Sequence, residues 1–331
     1  MAMTSVTSTV RRLALVATVV AGLTASGFAF AQGDYPAKPI KLIVAFPPGG
    51  PTDLVSRVIA QKLSEQLGQQ VLVDNRPGAN GNIAAELVAK SPPDGYTVFY
   101  NTSAIALSPA LYSKLGFDPQ KDFAPVVLTA VVPLVLAVHP SVPANNVGEF
   151  IKYAKANPGK LTYGSAGNGN VTHLAAFLFL QTNGLDAVHV PYKGSAPSLT
   201  DLVGGQTQFT TETVNAALPY IRDKRLKPLA VTSLKRTSVL PEVPTLNESG
   251  MKGFEVGAWQ GIVVPTGTPP AIIQRLNAEV MKALANPDVK ARLAAQGAEP
   301  LGSTPEQYGA YLNSEIERWA KVVKATGAKL D

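Results

Sequence analysis

Four glycine-rich turns, each lying between a short β-forming run and a helical run, constrain this chain more than any other feature. They are Phe46-Pro47-Pro48-Gly49-Gly50-Pro51-Thr52-Asp53, Arg76-Pro77-Gly78-Ala79-Asn80-Gly81-Asn82, Gly164-Ser165-Ala166-Gly167-Asn168-Gly169-Asn170 and Pro191-Tyr192-Lys193-Gly194-Ser195. Repeated strand, turn and helix is the sequence form of an α/β fold with a mainly parallel sheet. In open sheets of that kind the turns at the carboxyl ends of the strands are where ligands bind. A helix N-terminus presents unpaired N–H groups and about half a positive charge, and glycine lets the backbone come close to a ligand, so such turns make anion cradles. Any one of them also reads as a tight turn with a capped helix. Four in matching positions favour the cradle. No stretch fits the phosphate-binding Gly-x-x-x-x-Gly-Lys-Ser/Thr pattern, and 164–170 lacks the glycine spacing of a dinucleotide fingerprint.

Hydrophobic runs predict strands over residues 40–46, 71–74, 96–100, 126–130, 134–139, 161–163, 187–190, 206–211, 228–232 and 254–264. Helices are predicted over 53–67, 82–90, 147–157, 172–183, 195–203 and 216–223, followed by three in a row over 270–285, 287–296 and 305–326, each opened near a proline. The run 254–264 is long for one strand and suits a strand passing between domains. The chain is therefore expected to leave a first domain near 130–133 and return near Trp259, two crossings that imply a hinge. The expected division is a signal peptide over 1–31, domain 1 over 32–131 plus 260–331, and domain 2 over 132–259.

The 331 residues suffice for two domains with real cores, and 46% hydrophobic against 16% charged residues is a globular balance. Cysteine is absent, which excludes disulfides, thiolate nucleophiles and Cys-ligated metals. Arg11 and Arg12 precede the apolar run 13–23, and Ala29-Phe30-Ala31 supplies a small-x-small cleavage pattern, so the N-terminus reads as a cleavable secretory signal. The run is too short for a membrane span of ~20 residues. Export to the periplasm follows. Cleavage removes the charges of Arg11 and Arg12 and lowers the formal charge from +6 to +4, which argues against a nucleic-acid binder.

Tyr35-Pro36-Ala37-Lys38-Pro39-Ile40, the 46–53 turn, Asn75-Arg76-Pro77-Gly78-Ala79, Pro92-Pro93-Asp94-Gly95-Tyr96, Tyr163-Gly164-Ser165-Ala166-Gly167, Thr172-His173-Leu174, Val190-Pro191-Tyr192-Lys193-Gly194 and Leu229-Ala230-Val231-Thr232-Ser233 stand in order along the chain. Together they resemble the Bug/TctC family of periplasmic receptors for tripartite tricarboxylate transporters, over essentially the whole mature chain. The resemblance implies a two-domain, type II-like Venus-flytrap fold with a ligand cleft between the domains. It implies two opposed pincers holding a ligand carboxylate, with contacts at Pro48, Gly49, Thr52, Gly167, Asn168 and Thr172. It also implies membrane transporter subunits as partners, a monomeric receptor and no cofactor. One segment departs from the family: where Phe-Asp-Asn often stands, this chain has Thr211-Glu212-Thr213. Glu212 is expected to face the distal part of the ligand, accepting from a donor or repelling a second carboxylate.

Among single residues, Lys193 reads as a solvated turn lysine or as a long-range attractor of anions. His173 reads as a structural or pocket-lining group, since no His-x-x-x-His pair or nearby carboxylate completes a metal site. Asp53 suits a helix start better than ligand contact, Arg76 suits either an anion or an ion pair with Asp74 or Asp94, and Trp259 suits the core. No catalytic residue is expected: Ser165 lies in Gly-Ser-Ala-Gly rather than Gly-x-Ser-x-Gly. The leading function is a receptor for a dicarboxylate, tricarboxylate or aromatic acid. The alternatives are a periplasmic sensor of the same ligands and a periplasmic hydrolase or isomerase on the same scaffold.

Overall fold

The computed structural model describes residues 35–327, 329 and 330, so the segment 1–31 expected to be a signal peptide lies outside the described residues. The strands are β1 (Ile40–Val44), β2 (Val71–Asn75), β3 (Thr97–Thr102), β4 (Phe123–Val138), β5 (Thr162–Ser165), β6 (Val188–Pro191), β7 (Phe209–Thr213), β8 (Lys227–Val231), β9 (Gly257–Pro265) and β10 (Glu299–Pro300). The helices are α1 (Pro51–Leu67), α2 (Asn82–Ala89), α3 (Ala104–Leu111), α4 (Val147–Ala156), α5 (Val171–Asn183), α6 (Ser195–Val203), α7 (Val214–Arg222), α8 (Pro270–Ala285), α9 (Pro287–Ala295) and α10 (Pro305–Thr326).

All strands join one sheet in the order β2-β1-β3-β9-β4-β7-β5-β6, with β8 and β10 also paired to β4. The sheet is parallel only toward its two ends. β1 runs parallel to β2 and β3, and β5 runs parallel to β6 and β7, but β4 and β9 pair antiparallel with each other and with their other neighbours. The expected mainly parallel sheet is corrected on this point. The reason is topological: two strands that carry the chain away and back must run in opposite directions.

The run from 126 to 139 that reads as two strands forms one. β4 pairs with β9 from Phe123 to Pro133 and with β7 from Leu134 to Val138. Its side chains alternate between two buried clusters. Leu134, Leu136 and Val138 join Phe150, Phe179 and Phe209 on one face, whereas Val135 packs with Leu199, Leu202 and Val214 on the other. A strand buried on both faces is apolar throughout, which is why it carries no alternation in its sequence.

The helices begin and end as their sequences dictate. α1 starts at an extended Gly50 with Pro51 in the first turn and stops at Gly68, whose φ of +64° is the left-handed conformation open to glycine. α5 is capped by the Asn170 side chain, and α10 by a Thr304/Gln307 capping box.

Candidate ligand-binding site

A cavity of about 570 Å³ opens at the carboxyl ends of the parallel strands. Five strand-to-helix junctions reach its wall. They are Gly50–Thr52 before and within α1 from β1, Ser103 and Ala104 from β3, Asn170–Thr172 from β5, Gly194–Ala196 from β6, and Thr213 with Asn215 from β7. Five helix N-termini therefore point their partial positive charge at one volume, and only one cation, Lys193, lines it among the described residues. Such a wall binds an anion through dipoles and neutral donors, avoiding the desolvation cost of a buried ion pair.

Two of the turns that border the cavity, 46–52 and 164–170, are braced by different chemistry. Behind 46–52 sits Asp53, 2% exposed, whose Oδ2 accepts from the Gly49 N–H and from Arg57 Nε, both at 2.9 Å. Its Oδ1 accepts from Asn75 Nδ2 at 3.0 Å, and the same amide also donates to the Phe46 carbonyl at 2.9 Å. Burial pushes the Asp53 carboxyl up, but the hydrogen bonds from Arg57, Gly49 and Asn75 outweigh it and hold the group below its usual range. Gly49 sits at φ +75°, where a side chain would be strained.

Behind 164–170 the brace is neutral. The rings of His173 and His189 stack at 3.9 Å and 4°, with Tyr163 stacked on His189 at 4.9 Å. His189 Nε2 lies 2.7 Å from Ser165 Oγ, and His173 Nδ1 accepts from the Gly169 N–H at 3.1 Å. Burial, joined for His173 by the charge of His189, pushes His173 down to about 3 and burial alone pushes His189 down to about 4, so both are neutral near pH 7. Thr172 completes the brace: its hydroxyl accepts from the Ala166 N–H at 2.9 Å and donates to Asn170 Oδ1 at 3.2 Å.

Of the residues singled out in the sequence, Pro48, Gly49, Thr52, Thr172, Lys193 and Glu212 line the cavity. Gly167 and Asn168 stand outside its wall. The Gly167 N–H donates to Ser165 Oγ, Asn168 Nδ2 reaches the Lys329 carbonyl, and Ala166 and Asn170 present this turn to the cavity instead. The 76–82 turn does not line the cavity; Asn80 Oδ1 meets Asn170 Nδ2 at 3.4 Å. His173, Ser165 and Trp259 are structural: the Trp259 indole N–H donates to buried Glu315 at 2.8 Å. Arg76 pairs with Asp74 at 2.9 Å.

Asn215, which follows the departing Thr211–Thr213 segment, also lines the cavity as the sequence expects of that segment, whereas Ser103, Ala104 and Gln260 line it without having been singled out. A Ser before the apolar run 104–107 is a helix-start signal, but the run is buried without a break through Ser108 and Pro109 follows inside the helix, so α3 shows no helical period. Gln260 is 1% exposed inside β9, where nothing local marks it. Its Oε1, both amide atoms of Asn215 and Glu212 Oε2 are buried without a hydrogen-bond partner of ordinary geometry. Glu212 itself is fully buried, with Oε1 accepting from the Thr213 N–H at 2.8 Å. Burial pushes its carboxyl up to about 7, against the opposing pull of the Thr213 N–H and the Ser195 and Thr213 hydroxyls.

The model of the tripartite tricarboxylate transporter family receptor, TctC, matches residues 55–328. The chain belongs to the TctC receptor family. BugT of Bordetella pertussis is 40% identical to this TctC-family chain over 298 residues, covering 89% of it and 91% of BugT. A structure of an R. palustris protein with adipate is 41% identical at a TM-score of 0.84, covering 89% of this chain and all of that one. MatC from Rhodopseudomonas palustris, solved with bound malate, is 35% identical at a TM-score of 0.78, covering 87% and 100%. The two-domain periplasmic-binding-protein fold of the family is therefore the fold of this TctC-family receptor.

Proposed function

We propose that this chain is a periplasmic receptor that captures a small carboxylate in the cavity and presents it to the membrane subunits of a tripartite transporter. The observation that carries the reading is the convergence of five helix N-termini on one volume, with a single lining cation. The adipate and malate held by its relatives support a diacid of about four to six carbons, a size suited to the cavity. In this reading residues 1–31 direct export and are removed.

Residues 32–131 with 260–331 form one lobe and 132–259 the other, joined through β4 and β9, and ligand contacts from both favour the closed form. Pro48, Gly49 and Thr52 meet the carboxylate from one side and the 164–172 turn from the other, while Lys193 draws anions in from the rim. The protein performs no chemistry on its ligand. The Ser–His pairs at hydrogen-bond distance among the described residues, Ser165 with His189 and Ser141 with His139, lie outside the cavity wall.

A melting-temperature screen of carboxylic acids and their methyl esters tests the reading. A diacid at a hundredfold excess over its dissociation constant is expected to stabilise the protein by ~2.7 kcal/mol. Its dimethyl ester is expected to do nothing. An ester that stabilises as well as the acid would sink the carboxylate reading.

A further inference from the structure

One pole of the cavity, at the start of α7, adds a buried carboxyl group to the helix-end donors. There Glu212 and Asn215 bring two buried acceptors without a hydrogen-bond partner of ordinary geometry, Glu212 Oε2 and Asn215 Oδ1, against a single such donor, Asn215 Nδ2. A buried polar atom left unpaired costs about 1–3 kcal/mol, so this pole is built to meet a ligand group that donates. No cation answers Glu212: among the described residues it forms no ion pair, and the other titratable side chains lining the cavity are Lys193, exposed in the turn before α6, and Tyr220 on α7. The strand beside it presents Leu134, Val135 and Leu136, and the titratable group of neighbouring α5, His173, is stacked on His189.

A ligand carrying two ionised carboxylates would hold one between the 46–52 and 164–172 turns and bring the other against this acceptor-rich pole. Two carboxylates in contact without a cation cannot both stay ionised. We propose that the cavity takes up one proton with each diacid, shared between the distal carboxylate and Glu212, and that this proton distinguishes diacids from monoacids bearing a neutral distal donor. The balance is simple: the proton comes from solvent, converts the facing carboxylates into one carboxylic acid and one carboxylate, and leaves with the ligand. A distal hydroxyl needs no proton, because it donates to Glu212 directly. Burial that already pushes Glu212 up to about 7 places the exchange in the neutral range.

This inference rests on the carboxylate reading above, and one experiment separates them. Adipate and the ω-hydroxy monoacid of the same chain length are titrated calorimetrically into the mature protein between pH 6 and pH 9, in buffers of different ionisation enthalpy. Proton uptake per adipate is expected to rise from a small fraction at pH 6 toward one at pH 9 and to stay near zero per hydroxy acid, with adipate affinity falling toward tenfold per pH unit above about 7 relative to the hydroxy acid. Glu212→Gln is expected to abolish the uptake and flatten that ratio. Binding of both acids with no uptake overturns the proton coupling alone, as does uptake that persists in Glu212→Gln. Failure of both acids to bind overturns the carboxylate reading and the coupling with it.

Discussion

The turns at 46–52 and 164–170 both border the cavity, yet one is braced by an ionised carboxylate and the other by neutral imidazoles. Asp53 ties the first to Arg57, Asn75 and the Gly49 N–H, and it does so only while charged. The stacked His173 and His189 tie the second to the Gly169 N–H and to Ser165, and His173 Nδ1 can accept only while its ring is uncharged. A ligand clamp can thus use either sign of proton occupancy, provided its brace is settled at working pH. What differs is the pH at which each brace fails.

The largest expected effect is on acid stability. Histidines held below their ordinary value of 6.5 contribute stability that is present above that pH and is lost as pH falls from there toward 4 and 3. Each imidazole is expected to withdraw about 2–3 kcal/mol between pH 7 and 4. Asp53, held below 3.8, contributes stability above that pH and loses it only as pH falls further. Denaturant melts from pH 7 to 4 are expected to show a steep loss that a His173→Gln, His189→Gln double variant flattens. An unchanged slope in that variant would break the contrast between the two braces.

Next comes Asp53→Ala, which strips a buried three-bonded carboxylate from behind the first turn. It is expected to cost about 2 kcal/mol at neutral pH and to weaken every acid together, roughly tenfold. Equal affinity by calorimetry would show that the first turn needs no brace. Thr172→Val, which leaves the Ala166 N–H without its hydroxyl, is expected to cost about 1 kcal/mol, and equally at pH 6 and pH 8. A cost that changes over that range would tie Thr172 to an ionising group. Smallest of all, Lys193→Gln belongs to neither brace: it is expected to leave the melting temperature unchanged and slow association a few-fold at low salt only.

Much of this contrast was legible in the sequence, and the remainder was hidden for physical reasons. The glycine turns declared themselves by their residues, and α6, α8 and α10 run as their periodicity predicts. β4 read as two strands because Pro133 looks like a break, although the strand pairs with β9 up to that residue. α3 was invisible because its continuous buried run 104–108 sets no period and Pro109 inside it reads as a break. The braces were beyond reach in another way. Asp53 and Asn75 lie 22 residues apart, and Ser165 and His189 lie 24 apart, so only the folded sheet brings them together. Gln260 is the extreme case, since its place in the cavity depends on β9 running beside β4.

The central claim is that helix starts from both ends of the sheet hold one carboxylate between them. Backbone amide shifts of the isotope-labelled mature protein, followed through a titration with adipate, test it most directly. The account predicts that first-turn amides of α1 and α3 move in step with those of α5, α6 and α7, saturating at one concentration, and that the dimethyl ester moves none of them. Shifts confined to the helix starts at one end of the sheet, or an ester that reproduces the pattern, would contradict it.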